Sequence, residues 1–267
     1  MKTATQILLA ALTVGTTVSH AALISHWTFN ESSGTTAADQ TGFFPGTLSG
    51  GAAFVAGGIS GNAVSLAEAT SSLVNMGTGF PGFTAGDYSL VAWVNTISTD
   101  IDSFVLSKHE SGTQNGYILG VNTTGGIGAA NKAFFFASHG APADNAVSTT
   151  TVNDGVWHQI VGVYHASSTL DIYVDGAPVE QSVTAQFMTA NAAPFLIGGY
   201  NVGGNTPTAS YTGLVDDVQV YGNALTSGEV QYLFANPGQV VPEPASAILL
   251  LAGTGLLTLK RRRTSMA

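Results

Sequence analysis

The sequence predicts an all-β protein built as a sandwich or barrel, and three observations carry this. About a dozen short runs of β-branched and aromatic residues recur along the chain, with Gly, Asn, Asp and Pro between them. Two of these runs, residues 154–165 and 170–176, are separated by the short polar break Ala166-Ser-Ser-Thr169 and read as a hairpin. The composition, with 33 Gly and 9% charged residues in 267, suits a loop-rich β protein and is too apolar for disorder. A chain of this length can bury a full core. It has no cysteine, so the fold must stand without disulfides, and thiolate metal sites and Cys nucleophiles are excluded.

Residues 1–21 read as a secretory signal. Lys2 supplies the basic start, residues 7–18 the apolar stretch, and Ser19-His-Ala21 a small-residue cleavage site. Residues 23–29 then alternate as a strand, followed by a turn-rich loop through Asn30-Glu-Ser-Ser-Gly34 and Asp39-Gln-Thr-Gly42. Short strands are expected at 61–66 and 72–75, and a strong one, apolar on both faces, at 87–95. Residues 104–108, 117–121 and 133–137 continue the series at regular spacing.

In the hairpin, the first strand is apolar on both faces and should be central. In the second, Leu170, Ile172 and Val174 share one face, while Asp171, Tyr173 and Asp175 share the other. That alternation predicts one side on the core and one in water. Asp175-Gly176 supplies a tight turn. Further strands are expected at 179–183, 194–198 and 213–221. One helix should close the domain. Thr226-Ser-Gly-Glu229 has capping-box spacing, Val230, Leu233 and Phe234 form a stripe, and Asn236-Pro237 stops it.

These segments also resemble a known family in their order and spacing. The residues that carry the likeness are Trp27-Thr-Phe-Asn-Glu-Ser-Ser-Gly34 with Asp39-Gln-Thr-Gly42, Ser60-Gly-Asn-Ala-Val-Ser-Leu66 and Tyr88-Ser-Leu-Val-Ala-Trp-Val94. Trp157-His158, Tyr173-Val-Asp-Gly176, Gly213-Leu-Val-Asp-Asp-Val-Gln-Val-Tyr221 and Ala224-Leu-Thr-Ser-Gly-Glu229 complete them. Together they resemble the LamG-like (laminin G type 3) domains of bacterial surface proteins. The resemblance implies a concanavalin A-like jelly-roll β-sandwich over residues 22–237, and it is specific for the fold rather than for a ligand.

The tail, residues 238–267, resembles a PEP-CTERM sorting signal. It has Pro242-Glu243-Pro244, an apolar run from Ala247 to Leu259, and Lys260 with Arg261, Arg262 and Arg263. The resemblance implies recognition by an exosortase-type sorting protease and an association with exopolysaccharide. The apolar run is a little short of the ~20 residues that span a bilayer. The Arg cluster should remain cytoplasmic, which puts residues 22–241 outside a Gram-negative-type cell, at its surface or in its matrix, anchored transiently through this segment. A plain C-terminal anchor would have the same topology.

Charge excludes some partners. Residues 22–241 hold only Lys108 and Lys132 against 15 carboxylates, a net charge of −13. Such a surface repels nucleic acid and anionic lipid and is compatible with divalent cations and neutral polymers. Catalysis has little support. Glycoside hydrolysis needs two carboxylates about 5–9 Å apart. The Glu-x-Asp-x-x-Glu strand of the β-glucanases to which the fold is related is absent, as are HExxH and Gly-x-Ser-x-Gly. His158 reads as a core histidine whose ring nitrogens bond to backbone.

The resemblance further implies a structural Ca²⁺ held by the Asn30 region, the Gly61 carbonyl and the Asp216 side chain. Period 2 puts Asp216 on the core face with Leu214, Val218 and Val220 and turns Asp217 outward. A buried carboxylate needs a cation or several donors; Asp216 accepting only backbone N–H groups is the alternative. For sugars, Tyr117, Phe134, Phe136, Tyr200 and Tyr211 are the candidate platforms, although most aromatics in a sandwich are core. The glycine-rich loop Tyr200-Asn-Val-Gly-Gly-Asn205 points to Tyr200, Asn201, Asn205 and Tyr211 as ligand-binding residues. The expectation is an exported, non-enzymatic surface or matrix protein that binds glycan within exopolysaccharide. A polysaccharide-degrading enzyme on the same fold is the alternative.

Overall fold

Residues 21–98, 103–122, 129–140, 145–166, 169–177, 180–184, 188–203 and 206–242 are described by the computed structural model. Among them the chain forms β1 (Leu23–Trp27), β2 (Thr36–Ala37), β3 (Gly46–Ser49), β4 (Ala53–Gly58), β5 (Gly61–Leu66), β6 (Leu73–Asn75), β7 (Tyr88–Asn95), β8 (Ser103–Glu110) and β9 (Asn115–Asn122). There follow β10 (Lys132–His139), β11 (Asn145–Thr151), β12 (His158–His165), β13 (Thr169–Val174), β14 (Gln181–Thr184), β15 (Leu196–Ile197), β16 (Gly199–Asn201), β17 (Pro207–Ala209), β18 (Gly213–Tyr221) and one helix, α1 (Ser227–Ala235). Residues 1–20 of the secretory signal, Asn205, Glu243, Pro244 and Arg261 to Arg263 lie outside the described residues.

The strands form two sheets. One has eight strands in the order β14-β13-β12-β7-β18-β5-β4, with β1 also on β18. The other has ten, in the order β11-β10-β9-β8-β15-β6-β3-β2, with β16 and β17 alongside. Between them lies a continuous core that includes Trp27, Phe80, Tyr88, Leu90, Phe135, Ile160, Ile172, Phe195 and Val218. Each such side chain, fully buried, contributes about 1.5–3 kcal/mol. The fit is close. Gly162 on β12 is needed because a Cβ there would lie 2.5 Å from the Phe135 ring of the facing sheet.

The hairpin forms as expected, with β12 paired between β7 and β13. Asp175 (φ 52°) and Gly176 (φ 66°) both lie in the left-handed region, and Ala177 N–H donates to the Val174 carbonyl at 3.0 Å. This is a type I′ turn, for which Asp-Gly is a preferred pair. The outward face of β13, however, is dry. Tyr173, Val161, Val163, Val91 and Tyr221 form a second core beneath Leu225, Val230 and Leu233 of the α1 region. The alternation in β13 marks two different dry surfaces, one facing the other sheet and one facing the helix.

The helix has the expected capping box: Thr226 Oγ1 accepts from Glu229 N–H, and the Glu229 carboxylate accepts from Thr226 N–H. The strands β2, β3, β4, β11, β16 and β17 were not expected. They are short or polar, and each pairs with a strand next to it in the chain.

The edge strand β11 is closed by side chains. The Glu180 carboxylate accepts from Thr149 N–H (2.6 Å), Thr150 N–H (2.9 Å) and Thr149 Oγ1 (3.0 Å), and Gln181 accepts from Val147 N–H. Burial alone would raise the Glu180 pKa, but the Thr150 and Thr149 bonds outweigh it and hold it below the usual value. A lowered carboxyl stabilises the fold above pH ~4.5, and that contribution is lost as pH falls through the folded value. Glu180→Ala should therefore cost about 1–2 kcal/mol at pH 7 in urea titration, and the loss should shrink at acid pH. An equal loss at pH 3 and pH 7 would refute the capping role.

Candidate functional site

The outer face of the ten-stranded sheet carries a cavity of about 400 Å³. Its lining includes Phe104, His109, Ile118, Phe136 and Tyr200, with Glu68, Ser111, Gln114, Thr208 and Ser210 among the polar residues around them. Successive residues of β10 point to opposite faces, so Phe134 and Phe136 stand on this side while Phe135 enters the core. Phe104, Ile118, Phe134 and Phe136 form a separate apolar cluster, against which Val147 and Tyr200 pack. Tyr200 meets Phe104 edge-on at 4.9 Å between ring centroids.

His109 is the buried polar group among the rings of this cavity. It is 4% exposed, its ring stands edge-on to Phe136 at 5.1 Å, and neither ring nitrogen has a hydrogen-bond partner. Burial pulls its pKa down to about 4, so at neutral pH the ring is uncharged, with one N–H donor and one acceptor unused. A buried polar group left so incurs a penalty of about 1–3 kcal/mol.

The five candidate platforms separate cleanly. Phe134, Phe136 and Tyr200 belong to the outer face. Tyr117 and Tyr211 lie fully buried in the core between the sheets. The Tyr211 hydroxyl is spent on the Leu214 carbonyl at 3.1 Å, so Tyr211 is a core residue rather than a ligand contact. Asn201 is 1% exposed, with both side-chain polar atoms unpartnered, and it does not line the cavity. His109, Phe104 and Ile118 were not anticipated.

His158 also differs from expectation. Its Nδ1 pairs with the Asp175 carboxylate at 2.7 Å and its Nε2 with Asp154 at 3.1 Å, rather than with backbone. The Asp175 bond, ahead of the opposing burial, raises its pKa. It fastens the type I′ turn.

The residues expected to hold calcium lie on two sides of the β4–β5 turn. Gly61 has φ 93°, and a Cβ there would lie 2.0 Å from Asn30 Oδ1. That oxygen accepts from Asn62 N–H at 2.8 Å, and Asn62 Nδ2 donates to the Glu31 carbonyl at 3.1 Å. On the other side of this turn, Asp216 accepts from Ser60 N–H at 3.0 Å and from its neighbour Asp217 N–H at 2.7 Å.

The face assigned to Asp216 needs correction. A bulge breaks the pairing of β18 with β7 between Asp216 and Gln219, and Asp217 has φ 44°. The extra residue inverts the alternation. Val215 and Val218 face the other sheet. Asp216 lies opposite Trp93, whose ring stacks on Phe234 of α1. Asp216 is nonetheless fully buried, and Asp217, expected in solvent, is 2% exposed. Burial pushes the Asp216 pKa up to about 7, against the bonds from Ser60 and Asp217 N–H and with a further contribution from the Asp217 charge.

The residues present fit a hard cation. They offer oxygens only, Glu31 Oε2 is buried without a partner, and Asp216 has no cationic neighbour. Both lysines of the domain are committed elsewhere: Lys108 Nζ donates to the carbonyls of Ala193 and Thr78, and Lys132 Nζ to that of Thr149. Among the described residues no three Asp, Glu or His side chains cluster, so carbonyl, amide and water oxygens would complete the shell.

Comparison with known proteins bears on both features. The family model described as the concanavalin A-like lectin/glucanases superfamily (laminin G type 3) matches residues 60–231. The PEP-CTERM protein-sorting motif matches residues 240–263. No curated protein matches the chain.

Among solved structures, domain 4 of AbnA, a GH43 extracellular arabinanase from Geobacillus stearothermophilus solved with arabinotriose, is similar. Its TM-score is 0.62 at 22% identity, covering 80% of this chain and 98% of that one. The binding domain of Paraclostridial Mosquitocidal Protein 1 has TM-score 0.61 at 14% identity, covering 80% and 52%. The ligand binding domain of botulinum neurotoxin serotype D, solved with N-acetylneuraminic acid, has TM-score 0.57 at 12% identity, covering 81% and 51%. The chain thus spans about half the length of these toxin chains, and at such identities the likeness concerns the fold alone.

Proposed function

Because the chain belongs to the concanavalin A-like lectin/glucanases superfamily and carries a PEP-CTERM sorting motif, we propose that it is an exported, non-enzymatic module that binds a neutral glycan at the surface or in the matrix of the cell. The observation that carries this reading is His109. An uncharged imidazole with a free donor and a free acceptor, set among aromatic rings, matches a sugar, whose hydroxyls both donate and accept and whose C–H faces stack on rings. The similar arabinanase domain was solved with arabinotriose and the similar toxin domain with N-acetylneuraminic acid, which supports a saccharide as ligand. The acidic surface favours an uncharged one. Processing of the tail by an exosortase-type protease follows from the sorting motif. A Ca²⁺ held by Asn30, the Gly61 carbonyl and Asp216 would be structural, fixing the end of the sandwich where β1, β5 and β18 meet.

An arrayed-polysaccharide screen on the folded protein, followed by calorimetry, tests the reading. Tyr200→Ala should weaken binding about fivefold to tenfold without changing Tm by more than a few degrees. Binding indifferent to Tyr200 removes the cavity as the site. New reducing ends or unsaturated products would overturn the non-enzymatic assignment.

A further inference from the structure

The fold does not end with α1. Asn236 Nδ2 bonds back to the Tyr232 carbonyl at 2.8 Å, and the chain then turns across the outer face of β18. There three side chains of β18 receive it in succession. Asp217 Oδ2 accepts from Gly238 N–H at 2.7 Å, Gln219 Nε2 donates to the Gln239 carbonyl at 2.9 Å, and the Tyr221 hydroxyl accepts from Val241 N–H at 3.3 Å. Asp217, Gln219 and Tyr221 alternate along one face of β18, where Asp217 also meets His26 Nε2 at 2.7 Å and Gln219 Nε2 at 2.8 Å.

All four side chains are buried, at 4% exposure or less. Gly238 (φ 80°) passes so near β5 that a Cβ would lie 2.4 Å from Ser60 Oγ. Val241 packs on the second core. A buried polar row of this kind is satisfied only while the segment is in place. Residues 236–242 are therefore a strap belonging to the domain, and the domain boundary moves from 237 to 242.

The sorting motif begins at residue 240, so strap and motif share residues 240–242. We infer that the folded domain holds the head of its own sorting signal and competes for it with the processing protease. This rests on the tail being processed, and on nothing about the glycan cavity. A protease reads several residues on each side of the scissile bond in extended form. Those before Glu243 are already engaged by Asp217, Gln219 and Tyr221, so cleavage near the motif requires the strap to lift.

The test uses the full chain, in detergent for amide exchange and in a host bearing the sorting protease for pulse-chase processing. In the wild type the Gly238 and Val241 amides should be protected. Tyr221→Phe, which removes the bond from Val241 N–H and the one that orients Gln219, should expose the Val241 amide and speed conversion at least about fivefold, the effect of one or more lost strap hydrogen bonds on the lifted population. A flexible Gly/Ser insertion after Val241 should speed conversion while leaving both amides protected. Unprotected amides in the wild type, or equal conversion of all three chains, would overturn the inference. If no chain is converted, the competition falls because processing itself is absent, and protected amides would then show that the strap is not at fault.

Discussion

Calcium should raise the melting temperature of this protein at pH 8 by on the order of 10 °C, and by much less at pH 5.5. The cause is Asp216. Its folded pKa of about 7 lies above the unfolded value of 3.8. The stability linked to it is thus fully present below pH ~4 and lost as pH rises through 7, up to about 4 kcal/mol in all. A cation bound to the ionised carboxylate offsets that loss, and at acid pH a proton already does so. For a domain of this size ~1 kcal/mol corresponds to about 2–4 °C. Asp216→Asn, which keeps an acceptor for Ser60 N–H, should abolish the calcium response and gain on the wild type as pH rises without metal. A calcium response that survives in Asp216→Asn would move the ion elsewhere. No response in the wild type would leave Asp216 as a carboxylate that only accepts backbone N–H groups.

His109→Leu should trade function for stability. The substitution removes two unpartnered ring nitrogens from an apolar wall, so the variant should gain about 1–2 kcal/mol at pH 7 while losing at least tenfold in glycan affinity. The pH dependence carries the sharper signature. The folded pKa of about 4 lies below the unfolded 6.5. The wild type therefore loses about 3 kcal/mol as pH falls from 6.5 to 4, because the unfolded ring takes up the proton first. Asp216 acts with the opposite sign over nearly the same range, so the two groups largely cancel in the native protein. Difference curves unmask them. Relative to wild type, His109→Leu gains stability as pH falls and Asp216→Asn gains as pH rises. Parallel curves for wild type and His109→Leu would mean that His109 is hydrated in solution and is not the dry, unpaired group described.

The scaffold was legible where one run of sequence makes one element. β5, β18 and α1 fall where period, glycines and the Thr226 capping box put them, because each is decided by neighbours within a few residues. Failures came where a distant partner decides. The outward residues of β13 look wet in sequence because α1, which dries them, lies far along the chain. The face of Asp216 was misread because a single bulge residue, Asp217, inverts the alternation, and no sequence signal marks it. At the candidate site, Tyr200 and Tyr211 sit near one another in sequence and were read alike, yet one faces the cavity and the other the core. His109 has no spacing in sequence that marks a site, because its company, Phe136 and Tyr200, comes from other strands.

The closure of β11 by Glu180 and Gln181 has a consequence for the protein in a crowd. At high local concentration an open sheet edge invites one copy to stack on the next into fibrils. Here the backbone donors of Val147, Thr149 and Thr150 are already taken within the same molecule, so they offer a second copy nothing to pair with. That protection is conditional: acid that protonates Glu180 releases the Thr149 and Thr150 donors and uncovers part of the edge to self-association.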